Sequence, residues 1–242
     1  MSSSPVTRSE TLPPVPRTTV ASTMHTIVLL LVLAAWATVG YFRFQTLRLA
    51  AHPHRARAYV VLMVWEWCVV AYIAWGMSRG GRSLKALIGG KWETAKDVFK
   101  DLAISLGFWI MALVVLAVTA VAIHAPRAVE SARALLPQTQ LEAVLWIFTS
   151  LTAGICEEII FRGYLHRQFC AWVGSIPVGV LLSAAAFGAG HLYQGGKQAI
   201  VIGVYGVLFG ILAETRKSLR PGIMVHAWHD SFSGLVARLI RA

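Results

Sequence analysis

Charged residues are scarce in this sequence of 242 residues, where lysine, arginine, aspartate and glutamate together make up 14%. Soluble globular domains carry about 25% charged residues, so the composition excludes an ordinary soluble domain. Acidic residues are scarcest, with 11 Asp and Glu against 22 Lys and Arg. The net charge of +11 resembles that of a nucleic-acid-binding protein, but the basic residues lie mostly in short loops between apolar runs. In such loops they set membrane topology and contact anionic headgroups, so we predict no nucleic-acid partner.

Cysteine is also rare. The three cysteines, Cys68, Cys156 and Cys170, lie in or beside apolar runs. No two of them have the spacing of a metal site, so we interpret them as packing residues.

Apolar residues, in contrast, make up 57% of the chain, and the mean hydropathy is +0.63. Runs of roughly 20 apolar residues have the length of a membrane-spanning helix. We therefore predict an all-α protein: a polytopic transmembrane helical bundle of about seven spans, within a range of six to eight. The predicted spans cover approximately residues 27–42, 58–77, 102–123, 141–164, 175–191, 199–213 and 219–240.

The remaining segments complete the predicted organisation. Residues 1–22 are rich in Ser, Thr and Pro and are predicted to form a disordered tail, followed by N-terminal membrane helices over 23–140. The basic loop over 79–100 is predicted to contain an amphipathic surface helix. Gly203, Gly206 and Gly210 form a small-residue stripe that predicts close helix packing. The protein is thus predicted to be an integral, multi-pass membrane protein surrounded by lipid.

Two adjacent carboxylates, Glu157 and Glu158, and the guanidinium of Arg162 interrupt the fourth predicted span. Charged groups at membrane depth are costly and usually face a protein interior or a water-filled cavity. On a helix, Glu158 and Arg162 share a face and can pair, whereas Glu157 points about 100° away from Glu158. Glu157 is therefore predicted to be the chemical centre of the protein.

Two further polar sites follow on later spans. The first is Phe187-Gly188-Ala189-Gly190-His191, and the second is His226-Ala227-Trp228-His229-Asp230, in which His226 and Asp230 share a helical face. Each alone has a structural explanation, because a membrane histidine is commonly a hydrogen-bonded packing residue. Three such sites on three helices are harder to explain by packing, since each carries a cost of burial.

Glu66, between two tryptophans in the second span, has two interpretations. It either enters the same site or makes a buried polar contact that fixes helix packing, and the second interpretation is favoured. The spans raise a geometric question as well. Simple alternation of helices would put His191 and His226 towards opposite faces of the membrane, so their convergence requires shifted span ends or helices broken around a cavity.

Hydrolysis is the chemistry that these residue types support. A glutamate in an apolar site suits the role of general base on a water molecule. One histidine can orient that water, and a second, with a polar neighbour, can stabilise the oxyanion formed at a peptide carbonyl. Alternatively, Glu157, His191 and His226 could hold a zinc ion, because two histidines and one carboxylate form a known hydrolytic ligand set.

The ordered motifs resemble a known family. Glu-Glu-x-x-x-Arg, Phe-x-x-x-His and His-x-x-x-Asp, on successive membrane helices, are similar to motifs of the CAAX-protease and bacteriocin-processing family (CPBP, also called ABI). That family includes the Rce1-type prenyl-protein endopeptidases. The resemblance covers about residues 141–235, including the run from Gly206 to Gly210 and the segment from Ser218 to Ile223. It implies that 141–242 forms a catalytic membrane core.

The resemblance implies an intramembrane endopeptidase, a hydrolase whose substrate is a membrane-tethered protein or peptide. Glu157 would be the general base assisted by His191, and His226 with Asp230 would form the oxyanion site. Supporting positions around them would be Glu158, Arg162, Phe187 and His229. The family is often called a metalloprotease, although a metal-free glutamate mechanism is also proposed for it; no cofactor is therefore implied with certainty, and zinc is the candidate.

One residue departs from the pattern of the prenyl-protein proteases, which have Asn where this chain has Asp230. Asn donates hydrogen bonds to an oxyanion, whereas an ionised Asp accepts them, so Asp230 either orients His226 or stays protonated. Asp is common among bacterial-type members, and together with the short loops it predicts a protein of the bacterial cell membrane. The sequence contains no signal of oligomeric state.

Other protein classes fit less well. The chain has no His-Glu-x-x-His, Gly-x-Gly-Asp or Gly-x-Ser-Gly motif, which disfavours the other main classes of intramembrane protease. A non-catalytic family member, or a transporter or immunity protein that binds a peptide in the membrane, is the alternative, since intramembrane Glu and His also serve proton relays. Transporters commonly contain an internal repeat, and no polar motif recurs between the two halves.

Overall fold

A computed structural model describes residues 18–50 and 55–239 of the chain, and within these ranges every regular element is helical. The α-helices are α1 (Thr23–Leu49), α2 (Arg55–Ser78), α3 (Leu84–Ile88), α4 (Ala95–Ala122), α5 (Ala128–Ser131), α6 (Gln140–Glu157), α7 (His166–Val173), α8 (Ile176–Gly190), α9 (Gly196–Arg216) and α10 (Arg220–Leu239). A π-helix (Glu158–Leu165) joins α6 to α7, and a short 3₁₀ helix (Leu192–Gln194) precedes α9. The predicted all-α fold is confirmed.

Five helical segments are long and apolar enough to cross a membrane. They are Thr23–Leu49, Arg55–Ser78, Ala95–Ala122, Gln140–Val173 and Gly196–Arg216. The apolar helix α8 is shorter, at 15 residues, and α10 is long enough but does not reach the same hydropathy. The polar residues of α10 that lower its hydropathy include His226, His229 and Asp230.

Two predicted segments differ in the structure. The basic region over 79–100 contains only the five-residue α3 and the first turn of α4 instead of a longer surface helix. At the N-terminus, residues 1–17 of the predicted disordered tail lie outside the described residues. Its last residues are packed, because Val20 and Ala21 are buried and their backbone N–H groups face Oε1 of Gln168 at 2.7 and 3.3 Å.

The helix that carries the two glutamates begins at a defined cap. The Thr139 side chain accepts a hydrogen bond from the backbone N–H of Glu142, and the Glu142 carboxylate accepts one from the N–H of Thr139. This reciprocal arrangement satisfies two of the N–H groups that a helix start leaves without partners. The cap thereby sets the start of α6, which is 18 residues long and ends at Glu157.

The sequence interpretation of a regular helix through the glutamates is wrong beyond Glu157. Residues 158–165 form a π-helix, in which the N–H of His166 bonds to the carbonyl of Phe161. The wider hydrogen-bonded ring of a π-helix occurs frequently at functional sites. Its Gly163 allows close approach, since a Cβ there would meet the side chains of Leu219 and Leu87 at 3.1 and 3.2 Å.

Glycines bring the helices of the second half close together. On α9, a Cβ at Gly206 would meet Ala184 at 3.1 Å and one at Gly210 would meet Val180 at 2.8 Å. The predicted close packing of this stripe is therefore confirmed against α8. On α6, a Cβ at Gly154 would lie 2.8 Å from the backbone nitrogen of Ala227, so α6 and α10 are in near backbone contact.

The cysteines follow the interpretation as packing residues in two of three cases. Cys156 and Cys170 are buried, whereas Cys68 is exposed on α2. All three thiols are free.

Candidate active site

Two adjoining cavities lie beside α2 and the ends of α6 and α8; α1 also lines the larger one, and α9 and α10 also line the smaller one. The larger has a volume of about 930 Å³ and a mainly aliphatic and aromatic wall, and the smaller has a volume of about 290 Å³ and a more polar wall. Five residues line both: Leu62, Glu157, Phe187, His191 and Tyr193. Two of the predicted catalytic residues therefore lie at the boundary between an apolar and a polar space.

His226 lies at the centre of a cluster of carboxylates. Its Nδ1 is 3.2 Å from Oε1 of Glu158, and its Nε2 is 3.6 Å from both Oε2 of Glu157 and Oδ2 of Asp230. Because a carboxylate only accepts hydrogen bonds, the contact with Glu158 requires a proton on Nδ1. The two 3.6 Å separations are too long for hydrogen bonds, so the Nε2 edge is open to another oxygen atom.

Glu158 and Arg162 form the predicted ion pair, with 2.9 Å between Oε1 and Nη1. Both side chains are almost completely buried, at 1% and 2% exposure. The guanidinium also lies over the rings of Phe187 and Phe209, with 4.2 and 4.9 Å from its carbon to the ring centroids. Cation–π contacts of this kind partly replace the lost hydration of the charge.

Glu157 has a different environment from its neighbour. Its side chain is 18% exposed, and its buried Oε2 has no hydrogen-bond donor among the described residues. A buried polar atom without a partner is uncommon in folded proteins. Because Glu157 lines both cavities and is partly exposed, water or a substrate can reach its side chain.

His191 joins these residues because α8 is short. The helix ends at Gly190, and His191 begins the turn that leads into the 3₁₀ helix, so the broken-helix interpretation accounts for the convergence of the motifs. Its Nδ1 lies 2.9 Å from the carbonyl oxygen of Phe187. A carbonyl only accepts, so Nδ1 carries the proton and Nε2 of the neutral ring is free to accept a hydrogen bond.

His229 and Asp230 line the smaller cavity from α10. The indole N–H of Trp109 donates to Nδ1 of His229 over 3.0 Å, which places the proton of the neutral imidazole on Nε2. The indole N–H of Trp146 donates to the backbone carbonyl of Asp230 over 2.7 Å. Both residues are therefore oriented by tryptophans on neighbouring helices.

Glu66 is the site residue that the favoured sequence interpretation missed. It is 3% exposed, lines the larger cavity, and neither of its oxygens has a hydrogen-bond donor among the described residues. It therefore makes no packing hydrogen bond, and it lines the same cavity as Glu157. The sequence feature that could have revealed Glu66 as a site residue was its acidic side chain inside an apolar run.

Tyr193, in the 3₁₀ helix between α8 and α9, supplies a hydroxyl to both cavities. Burial raises the pKa of this hydroxyl above its ordinary value. The phenol consequently stays protonated at neutral pH and accepts a hydrogen bond from the Gln194 amide over 3.1 Å.

The residues do not fit a zinc ion. Among the described residues, no group of three or more His, Cys, Asp and Glu side chains has an arrangement that could hold a metal. Glu157, His191 and His226 line the same smaller cavity but are not arranged as a metal-ligand set, and both ring nitrogens of His226 face carboxylates within 3.6 Å.

Comparison with known proteins finds a similarity in the second half of the chain. Residues 137–232 match the family model described as "Rce1-like: Type II CAAX prenyl endopeptidase Rce1-like". This range contains the three predicted motifs and closely follows the predicted extent of the resemblance. Neither a curated protein nor a solved structure matches the chain significantly.

Proposed function

We propose that this integral membrane protein is a CAAX-type intramembrane endopeptidase, because residues 137–232 match the Rce1-like family model. Its substrate is a membrane-tethered protein or peptide, in which one peptide bond is hydrolysed. The observation that carries this proposal is the arrangement of one open carboxylate, Glu157, beside two histidines with defined proton positions at the edge of an apolar cavity.

In the proposed reaction, a water molecule lies between Glu157 and the scissile carbonyl. Glu157 accepts a proton from this water, and the resulting hydroxide attacks the carbonyl carbon. His191 supports this step, because its free Nε2 can accept the second hydrogen of the water and hold it in place. The proton held by Glu157 is then delivered to the leaving amine, and the peptide bond breaks.

The oxyanion formed in the attack is stabilised by His226. The carboxylates of Glu157, Glu158 and Asp230 lie within 3.6 Å of the ring nitrogens, and their negative charge favours an imidazolium with N–H groups on both sides. The open Nε2 edge then donates to the oxyanion, and the surrounding apolar residues strengthen this interaction. Asp230 acts by orienting and charging His226, and not as a direct donor, since an ionised carboxylate only accepts.

The two cavities suggest where each part of a bound substrate lies. The larger, apolar cavity suits a lipid-like or strongly apolar part, and the smaller, polar cavity suits the peptide on the other side of the scissile bond. Location in the bacterial cell membrane stays a prediction from the sequence.

The test is proteolysis by the purified chain in liposomes, with a panel of membrane-tethered peptides that carry or lack a prenyl group. We expect cleavage by the wild type, and a loss of roughly 10²–10⁴-fold in Glu157→Gln, the range for a general base. His191→Gln should show a smaller loss. Both variants should unfold at the wild-type temperature, because neither side chain is part of the buried ion pair.

A chelator arm addresses the metal alternative. We expect cleavage to persist in the presence of a chelator, because the described residues form no ligand set for zinc. Loss of cleavage with chelator and its recovery with zinc would contradict the metal-free mechanism. Undiminished cleavage by Glu157→Gln would contradict the assignment of the base. Binding of the panel peptides without cleavage would instead favour a non-catalytic peptide-binding protein.

A further inference from the structure

The most unusual buried group outside the family motifs is the carboxyl of Glu66 on α2. It comes from the N-terminal half of the chain, outside the segment that matches the family model. Its side chain is 3% exposed, and it faces the larger cavity beside Glu157. Neither of its oxygens, nor Oε2 of Glu157, has a hydrogen-bond donor among the described residues.

Two buried carboxylates that face each other cannot both be ionised at low cost, because like charges repel strongly where water is excluded. The wall of the larger cavity, as far as the structure describes it, contains no lysine or arginine that could neutralise a second negative charge. One proton between the two groups removes the repulsion. It also creates the missing donor, since a carboxylic acid donates one hydrogen bond.

We propose that Glu66 is a positioning residue of the site: as a carboxylic acid it donates a hydrogen bond to the Glu157 carboxylate and holds it towards the water. This inference rests on the proposed function, because it assigns Glu157 as the base. One oxygen of Glu157 is then held by Glu66, and the other accepts the proton of the attacking water. Glu66 keeps its own proton throughout, so the proton balance of the reaction is unchanged.

The surroundings explain why Glu66, and not its neighbour, holds the proton. The titratable groups that line the larger cavity with Glu66 are Tyr41, Glu157, His191 and Tyr193, and Cys156 and Asp230 lie nearby on α6 and α10. The charged ones among them are carboxylates. Glu157 in addition lies 3.6 Å from the imidazole of His226 and is 18% exposed, whereas Glu66 is nearly sealed from water. The negative charge is therefore less costly on Glu157 than on Glu66.

Two substitutions separate the hydrogen bond from packing. Glu66→Gln keeps the size and an N–H donor, whereas Glu66→Leu keeps the volume and removes the donor. The matched control is Glu142→Gln, which changes another buried carboxylate at the distant start of α6. Because Gln also serves in a capping box, we expect this control to retain wild-type cleavage.

The main readout is the pH dependence of kcat and KM in liposomes. The acidic limb reports ionisation of the base. In Glu66→Leu we expect kcat to fall about tenfold or more, KM to stay within about twofold, and the acidic limb to move up by about one pH unit, since the Glu157 carboxylate has lost its donor. Glu66→Gln should stay within about threefold of the wild-type kcat, with its limb near the wild-type position.

A second readout does not depend on activity. The infrared spectrum of the wild type at neutral pH should contain a carboxylic acid C=O band that shifts in D₂O. This band should be lost in Glu66→Gln and retained in Glu142→Gln. Retention of the band in Glu66→Gln would overturn the inference, as would a wild-type kcat and acidic limb in Glu66→Leu.

These experiments distinguish the proposed endopeptidase function from the proposed role of Glu66. If the wild type cleaves and Glu157→Gln does not, the proposed function stands whatever the Glu66 variants do. If no peptide of the panel is cleaved by the wild type, the proposed function fails, and the infrared band alone decides whether Glu66 holds a proton. A purely structural role of Glu66 would lower the unfolding temperature of Glu66→Leu without moving the acidic limb of the remaining activity.

Discussion

Two adjacent glutamates define two contrasting regions of this molecule. Around Glu158, every charge has a partner: Arg162 at 2.9 Å, Nδ1 of His226 at 3.2 Å, and two phenylalanine rings over the guanidinium. Around Glu157, the carboxyl groups of Glu157 and Glu66 have oxygens without donors, and two cavities adjoin them. One region is closed and ion-paired, although Nη2 of Arg162 has no hydrogen-bond acceptor among the described residues, and the other is open and contains carboxylates without a cationic partner.

The difference shows how a charged site is maintained in an apolar protein. Burying a charge is costly unless it is paired. Because Glu158 pairs with both Arg162 and His226, the ion-paired region holds His226 and the π-helix in one geometry. Because the ion pair of Glu158 and Arg162 stabilises the helix, Glu157 can remain without a cationic partner. A cation beside Glu157 would neutralise the carboxylate that the site needs. The comparison predicts that substitutions in the closed region affect stability and those in the open region affect cleavage.

The largest effect on stability should come from Arg162→Met, which leaves Glu158 buried without its cation. Breaking a buried pair in this way costs about 3–5 kcal/mol. We expect a strongly lowered midpoint in reversible detergent unfolding. Arg162→Lys should lose less, because it keeps the charge while giving up the planar contact with Phe187 and Phe209. A wild-type unfolding midpoint for Arg162→Met would contradict the stabilising role of the ion pair around Glu158.

A smaller effect is expected where α6 and α10 touch. Gly154→Ala places a methyl group 2.8–3.0 Å from the backbone and Cβ of Ala227, and such overpacking costs about 1–3 kcal/mol. It should also reduce cleavage, since the displaced helices carry Glu157 and His226. The matched control is Gly107→Ala on α4, where a Cβ meets nothing within 4 Å. Equal unfolding midpoints and cleavage rates for the two variants would contradict the close contact.

The smallest effect should follow Trp109→Phe, which keeps a ring but removes the donor to Nδ1 of His229. Loss of one such hydrogen bond costs about 1 kcal/mol. We expect a slightly lower unfolding midpoint and about fivefold slower cleavage, because His229 is no longer held in one tautomer. Trp92→Phe removes a similar bond, to Asp101, far from the cavities, and should lower stability without slowing cleavage. Unchanged cleavage in Trp109→Phe would reduce His229 to a packing residue.

Much of the fold could be predicted because apolar runs reveal spans directly. The predicted second to seventh spans each correspond to one helical segment, with ends displaced by up to seven residues at the start of α4 and nine at the end of the segment that reaches Val173. The surface helix predicted within 79–100 is represented by the five-residue α3, and tertiary contacts hold this segment. Arg167 donates to the carbonyls of Ala86 and Leu87, and the N–H of Leu219 donates to Ile88.

The candidate site was only partly predictable from the sequence: the three motifs were predicted, but the place of Glu66 beside them was not. The three motifs could be recognised because their residues recur at helical spacing within short segments. Glu66 lies 91 positions before Glu157 in another helix, so no local pattern connects them. Likewise, nothing in Glu158-Ile159-Ile160-Phe161-Arg162 indicates a π-helix, since the ring size of the hydrogen bonds depends on how neighbouring helices pack.

The sequence by itself determined a helical membrane protein, the Glu158–Arg162 pair and the residue types of a hydrolytic site, because these depend on hydropathy and on spacing along one helix. The tertiary structure decided which carboxylate is free and where each histidine carries its proton. It did so by bringing distant segments together: Trp109 with His229, Glu158 with His226, and Glu66 with Glu157 in the wall of one cavity. Hydrogen bonding and burial are properties of the packed chain, and they select among chemical roles that the residue types alone leave open.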